Sequence, residues 1–224
     1  MKFTISARGK PNELAILPFL AKSFPAIPII QIDSVFGFVE RSTLYGYVGI
    51  GVRLPLTNHY VEPAEYEATA PLLERYHRDG NAAIVTHDDL ARWIRRDFPK
   101  YRIEASVIKN LKTYDRIAAA LDLHDTAVLP MELNHDSDFL ARVPEKERIT
   151  LFANAGCALT CPSRICYVSV SKINKGEGGE FKCSQPLKQR ELRGMVDFDL
   201  TRLQDLGFSR FKLLRARPGG MTGH

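Results

Sequence analysis

An α/β fold with a mainly parallel sheet is what the sequence predicts, and three observations predict it. Short β-rich runs alternate with amphipathic helical stretches, the connections between them are short, and about eight strand-like runs are present. Eight such strands suffice to close a barrel with helices outside, so the expected architecture is (β/α), TIM-barrel-like, in a complete or a minimal, incomplete form. A doubly wound open sheet is the rival. No GxGxxG follows a strand, and GEGGE at 176–180 lies between cysteines without a clear helix after it, so it reads as a loop.

The elements follow in order. Strands are expected at 27–32, 47–54, 82–86, 102–107, 127–132, 149–153, 166–170 and 211–214, and helices at 13–23, 63–79, 88–97, 113–121 and 199–206. Punctuation supports the helices: Pro63 and Pro71 flank the first turns of one, Gly80 ends it, and Pro99 and Gly207 follow the ends of two others. The basic stretch 188–193 also reads as helical, with Glu191 inside it, and as a solvated face.

With 224 residues, the chain fits one barrel-like domain spanning 1–224, with a cysteine-bearing segment at 154–183. A composition of 45% hydrophobic and 25% charged residues argues against a disordered or fibrous chain. The start carries no apolar run of signal-peptide length, and no stretch is long enough to span a bilayer. The expected location is therefore the cytoplasm. A net charge of +5 suits an anionic or RNA substrate, but the charge is spread along the chain and few aromatics are interleaved with it.

All four cysteines fall in one short window: Cys157, Cys161, Cys166 and Cys183. Disulfides are rare in reducing cytosol, whereas thiolate metal sites are common there. The spacing is C-x3-C-x4-C, then a sixteen-residue spacer before Cys183. Structural zinc favours paired knuckles or a His pair, and neither is present. Four thiolates without a nearby His suit a four-iron four-sulfur cluster, one cysteine per iron; Arg164, Lys172, Lys175 and Lys182 could offset its negative charge. Zinc is the alternative cofactor, and small buried thiols with no metal are the third reading. The radical-generating spacing C-x3-C-x2-C is absent, and four cysteines would leave no iron open for a chelating cofactor.

In a parallel barrel, active sites gather at the C-terminal ends of strands. Polar residues follow several predicted strands: Asn58 and His59, His87 and Asp88, Lys109 and Asn110, Glu132 and Asn134, and then Asn154 and Cys157. Such residues are more often polar for solvation alone. Lys109, Asn110, Glu132 and Asn134 are the candidate substrate contacts. Asn154 and Arg164 are candidates for positioning the cofactor loop, against the equal alternative of a loop cap and a simple ion pair.

The segment Asn154-Ala-Gly-Cys157, followed by Cys161-Pro162-Ser-Arg164, resembles the N-x-G-C-x-x-x-C-P-x-R signature of the collagenase-like U32 peptidase superfamily. Downstream, LTRLQDLGFSRFKLLRAR is similar to that family's helix, glycine, FKL-type strand and terminal basic residues. Together these cover roughly a third of the chain. The resemblance implies a TIM-barrel-like fold and a four-cysteine iron–sulfur cluster. In it Cys157 and Cys161 match family cysteines, with Cys166 and Cys183 as the other pair. Members include paired proteins of oxygen-independent ubiquinone hydroxylation and enzymes that hydroxylate RNA bases; others were named peptidases. The chain is short for the family, which is why a minimal barrel is part of the expectation.

Three functions follow as expectations. The first is an iron–sulfur protein of an oxygen-independent hydroxylation or related modification. The second is a peptidase, although no HExxH or nucleophile–base pair is legible and His59, His87, His124 and His135 are isolated in sequence. The third is a non-catalytic, cluster-carrying or zinc-binding subunit with a heteromeric protein partner.

Overall fold

The structure, a computed structural model, describes residues 1–6, 29–33, 51–161, 163–184 and 196–214. Its strands are β1 (Lys2–Ser6), β2 (Ile29–Asp33), β3 (Gly51–Leu56), β4 (Ala82–Val85), β5 (Arg102–Ala105), β6 (Thr126–Val128), β7 (Ile149–Phe152), β8 (Asn154–Ala155), β9 (Val196–Asp197) and β10 (Arg210–Leu213). Its helices are α1 (Pro63–Arg75), α2 (Asp88–Asp97), α3 (Tyr114–Leu123), α4 (Ser137–Arg142), α5 (Ile165–Asn174) and α6 (Leu200–Asp205).

Strands β3, β4, β5, β6, β7 and β10 pair in that order as one curled parallel sheet, and β2 and β1 join its two edges in a ring. The α/β, TIM-barrel-like reading is met in this coarse form. It is also minimal, since α4 and α6 are six residues each.

Apolar stripes seat the helices that pack on the sheet, and three of the described helices start with a side-chain cap. In α2, Leu90, Ala91 and Ile94 are buried at helical spacing, with Asp88 and Asp89 in the first turn and Arg95 and Arg96 in the last, as the helix dipole favours. In α3, Thr113 Oγ1 accepts from the Arg116 N–H, and Ile117, Ala120 and Leu121 face inward. Asp136 and Asp199 cap α4 and α6 in the same way. The apolar residues sort into two layers outside the sheet. One joins α1 and α2 to β3, β4 and β5 through Leu73, Ile94 and Ile103; the other joins α3, α4 and α6 to β6, β7 and β10 through Ile117, Leu140, Leu203 and Phe211. Each such side chain contributes about 1.5–3 kcal/mol on burial.

Among the described residues, the interior of the ring holds a polar layer. Arg53 on β3 is fully buried and ion-paired with Glu104 on β5, whose Oε2 accepts the hydroxyls of Thr126 (3.0 Å) and Thr150 (3.3 Å). Barrel lumens are usually filled by branched aliphatics, so this layer joins β3, β5, β6 and β7 by charge and hydrogen bonds instead.

Several expectations need correction. The run 166–170 is not a strand but lies inside α5. Its alternating β-branched residues mimic a strand, but the ring gets all its strands from elsewhere and offers this segment no edge. Side chains at helical spacing, Arg164, Tyr167, Ser171 and Lys175, face the protein instead. The strand at 127–132 stops at Val128, and Met131–His135 forms a 3-10 turn. The helix from 63 ends at Arg75 rather than reaching 79. Strand β1 and helix α4 were not expected. The expected helices at 13–23 and 188–193, residues 27–28 and 47–50 of two expected strands, and Pro162 lie outside the described residues.

Candidate functional site

The cysteines sit on an excursion from the β7-to-α6 connection, at the C-terminal end of the barrel strands. The chain leaves β7 through β8, makes a 3-10 turn at Cys157–Leu159, runs through α5, and returns at β9, which pairs antiparallel with β8. Asn154 holds the exit: its Nδ2 donates to the Leu214 carbonyl at 2.9 Å and its Oδ1 accepts the Leu214 N–H at 2.8 Å. Both ends of the buried amide are thus spent on the backbone after β10, so Asn154 fixes where the cysteine segment begins.

Helix α5 lies as a strap across the mouth, tied at both ends. At its start Arg164 adopts the left-handed conformation, φ 49°, and its guanidinium binds both Glu132 oxygens (2.7 and 2.6 Å) and Asn110 Oδ1 (3.1 Å). At its far end, Ser171 Oγ accepts the His59 N–H at 3.0 Å, Asn174 meets Asn58 at 3.3 Å, and Lys175 binds Glu65 at 2.5 Å. Lys175 also lies 4.2 Å from the Tyr60 ring centre, and the Tyr60 hydroxyl donates to Glu177. Gly176, φ +70°, then turns the chain away, a conformation that favours glycine. Residues after β3 therefore hold one end of the strap, and residues after β5 and β6 hold the other.

The four thiols all lie on this excursion, Cys166 on the strap itself and the others before and after it. Cys157, Cys161 and Cys166 are partly buried and Cys183 is exposed. Burial pushes the Cys166 thiol up, and the charges of Cys161, Cys157 and Cys183 push it further the same way, which places all three within electrostatic range of it. Cys161 goes in the opposite direction. Burial would raise it, but hydrogen bonds from the Ser184 hydroxyl (3.2 Å) and the N–H groups of Arg164 (3.3 Å) and Ser163, with the Arg164 guanidinium, hold it below the usual thiol range. Tyr167, largely buried, has its phenol pushed up by burial and by three of the thiols.

Among the described residues, no three His, Cys, Asp or Glu side chains stand in coordinating geometry for a single ion. The donor set still fits a soft metal or an iron–sulfur cluster. It consists of four thiols without an intervening imidazole, backbone N–H groups directed at sulfur, and a guanidinium alongside.

The proposed substrate contacts divide. Lys109, Asn110 and Glu132 are drawn together on the mouth: Lys109 Nζ binds Asp88 (2.5 Å) and the Thr86 carbonyl (3.0 Å), and Glu132 is shared by Arg164 and Lys112 (2.7 Å). Burial would raise Glu132, yet Lys112 and Arg164 keep it below the usual carboxylate range. Asn134 is separate. It is fully buried, and its Nδ2 donates to the Phe152 carbonyl at 2.8 Å, pinning the 3-10 turn to β7. Sequence reasoning did not select Lys112, Tyr167 or Ser184. Ser184, directly after Cys183, is the one that thiol chemistry could have flagged.

No family model matches the sequence, and no curated protein matches it. Among solved structures the chain is similar to the U32 peptidase Mk0906, with a TM-score of 0.67 and 12% identity, over 97% of this chain and 94% of that one. At that identity the likeness is one of fold: the chain has a U32-peptidase-like fold. No helix among the described residues is long and apolar enough to cross a membrane.

Proposed function

We propose that this chain, with its U32-peptidase-like fold, carries a four-iron four-sulfur cluster on Cys157, Cys161, Cys166 and Cys183 and serves an oxygen-independent hydroxylation or related modification. The observation that carries the reading is the placement of all four cysteines on one excursion at the C-terminal mouth of the barrel, with the Arg164 N–H directed at the Cys161 sulfur. When bound, such a cluster supplies electron transfer at a potential set by charge and hydrogen bonds around sulfur.

The chain's own residues hold and tune the site. Arg164 ties the cysteine loop to Glu132 and gives its N–H to the Cys161 sulfur. Asn154 fixes the exit from β8, and Lys109, Asn110 and Lys112 present donors to an anionic or RNA substrate beside the strap. Outward on α5, Ile165, Val168 and Ile173 are exposed, which suits a heteromeric protein partner. Zinc on the same thiols is the alternative metal.

A peptidase is the second reading, favoured by the likeness to Mk0906, a protein named a U32 peptidase. The two separate in one experiment, in which peptide and gelatin hydrolysis is compared for the unaltered protein, Cys157→Ala and His135→Ala, after anaerobic iron and sulfide loading. Under the proposed function no variant changes a hydrolysis rate above background, and Cys157→Ala loses the brown chromophore. Hydrolysis that survives loss of Cys157 and falls with His135→Ala would establish the peptidase reading instead.

A further inference from the structure

At the end of the barrel opposite the cysteines, a largely buried arginine has no protein partner among the described residues. Arg210, the first residue of β10, is 6% exposed. Its Nε is buried without a partner, and among the described residues no hydrogen bond or ion pair reaches its guanidinium. Buried arginines are normally matched by a carboxylate, because an uncompensated buried charge is strongly destabilising.

The nearby carboxylate is already used. Glu104 pairs with Arg53 and accepts two threonine hydroxyls, and among the described residues it makes no ion pair with Arg210. Arg102 lies two residues before Glu104 and so on the same face of β5, at its N-terminal end; among the described residues no side-chain partner binds it. The nearby Asp125 is engaged by Arg95 at 3.0 Å and by the Ile103 N–H at 2.7 Å. Burial, together with the charges of Arg102 and Arg53, pulls Arg210 down to about 10, which leaves it cationic at neutral pH.

We propose that Arg210 and Arg102, backed by Arg53, form a binding site for a small inorganic oxyanion at the N-terminal end of the barrel. A guanidinium fork matches two oxygens of a tetrahedral anion, and a poorly hydrated setting strengthens that pairing. The depth of Arg210 favours a small ion over a large phosphorylated ligand. The site is independent of the cysteine chemistry at the other mouth.

The test is a titration of the full chain with inorganic phosphate at constant ionic strength held by chloride. Phosphorus NMR line broadening and melting temperature are the readouts, for the unaltered protein, Arg210→Met and Arg102→Gln. Phosphate is expected to bind saturably and raise the melting temperature of the unaltered protein. Arg102→Gln weakens binding about tenfold, the factor that loss of a charge-assisted hydrogen bond gives. Arg210→Met abolishes binding and, in chloride alone, melts no lower than the unaltered protein. If Arg210→Met fails to fold, the exposed Arg102→Gln variant still decides. A phosphate response that does not saturate, or an Arg102→Gln titration identical to that of the unaltered protein, overturns the proposal.

Discussion

Arg164 grips both carboxylate oxygens of Glu132 while its own backbone N–H lies 3.3 Å from the sulfur of Cys161. One residue, held in the left-handed region, thus couples the β6 end of the barrel to the cysteine loop. Glu132→Gln keeps the shape but removes the charge that fixes Arg164. The expected loss is about 1–2 kcal/mol in urea unfolding, modest because both side chains are partly exposed. Alkylation of Cys161 by iodoacetamide, followed by mass spectrometry, should change rate in the same variant. An unchanged rate would show that the ion pair does not position the loop.

Asn154 should behave as a clamp. Asn154→Ala leaves the N–H and carbonyl of Leu214 without their partners in a buried setting, at a cost of about 1–3 kcal/mol. Chemical denaturation measures the loss. Below the melting temperature of the variant, metal loading should match that of the unaltered protein. A loading defect with unchanged stability would instead make Asn154 a direct contact of the cofactor.

Histidine 124 gives the stability an acid limb. It is 1% exposed, its Nδ1 lies 2.8 Å from the Ala120 carbonyl, and its Nε2 is buried without a partner among the described residues. Burial lowers its pKa, with Lys109 and Arg95 acting the same way and the Ala120 carbonyl and Asp88 opposing. The unfolded chain therefore takes up the proton first. Its contribution is complete above the ordinary value of 6.5 and is lost as pH falls from there toward the depressed folded value. Urea midpoints measured from pH 8 to pH 5 should fall for the unaltered protein and fall less for His124→Leu. Equal slopes would assign the acid limb to other groups.

The strap should loosen from its far end. Lys175 is 6% exposed at its side chain, bound to Glu65 and stacked on Tyr60. Lys175→Met keeps much of the apolar stem and removes the charge. Hydrogen exchange should rise in the last turn of α5 and little in the turn that Arg164 anchors. Uniform protection across the helix would contradict a strap held separately at each end.

The sequence conveyed local signals well and distant ones poorly. Helix α2 was legible to the residue because Asp88 and Asp89 open it, a clean apolar stripe fills it, and Pro99 follows. Gly207, φ +97°, marks the end of α6 for the same kind of reason. The segment around Cys166 misled because Val168 and Val170 prefer strands, while what makes it helical is tertiary: contacts to Asn58, His59 and Glu65, more than a hundred residues away. Strand β1 was missed because its pairing comes wholly from β2 and β10, not from any local pattern. At the site, the position of the cysteine segment directly after β7 could be read from the sequence. The pairing of Arg164 with Glu132 and the isolation of Arg210 could not, since both depend on how the ring closes.

The most direct test of the central claim is metal and sulfide content after anaerobic reconstitution of the full chain with iron and sulfide. The account predicts a brown protein with about four iron and four acid-labile sulfide per chain, and a clear loss of both in Cys166→Ala. A colourless protein without iron, or one that takes up zinc in place of iron under the same conditions, would contradict it.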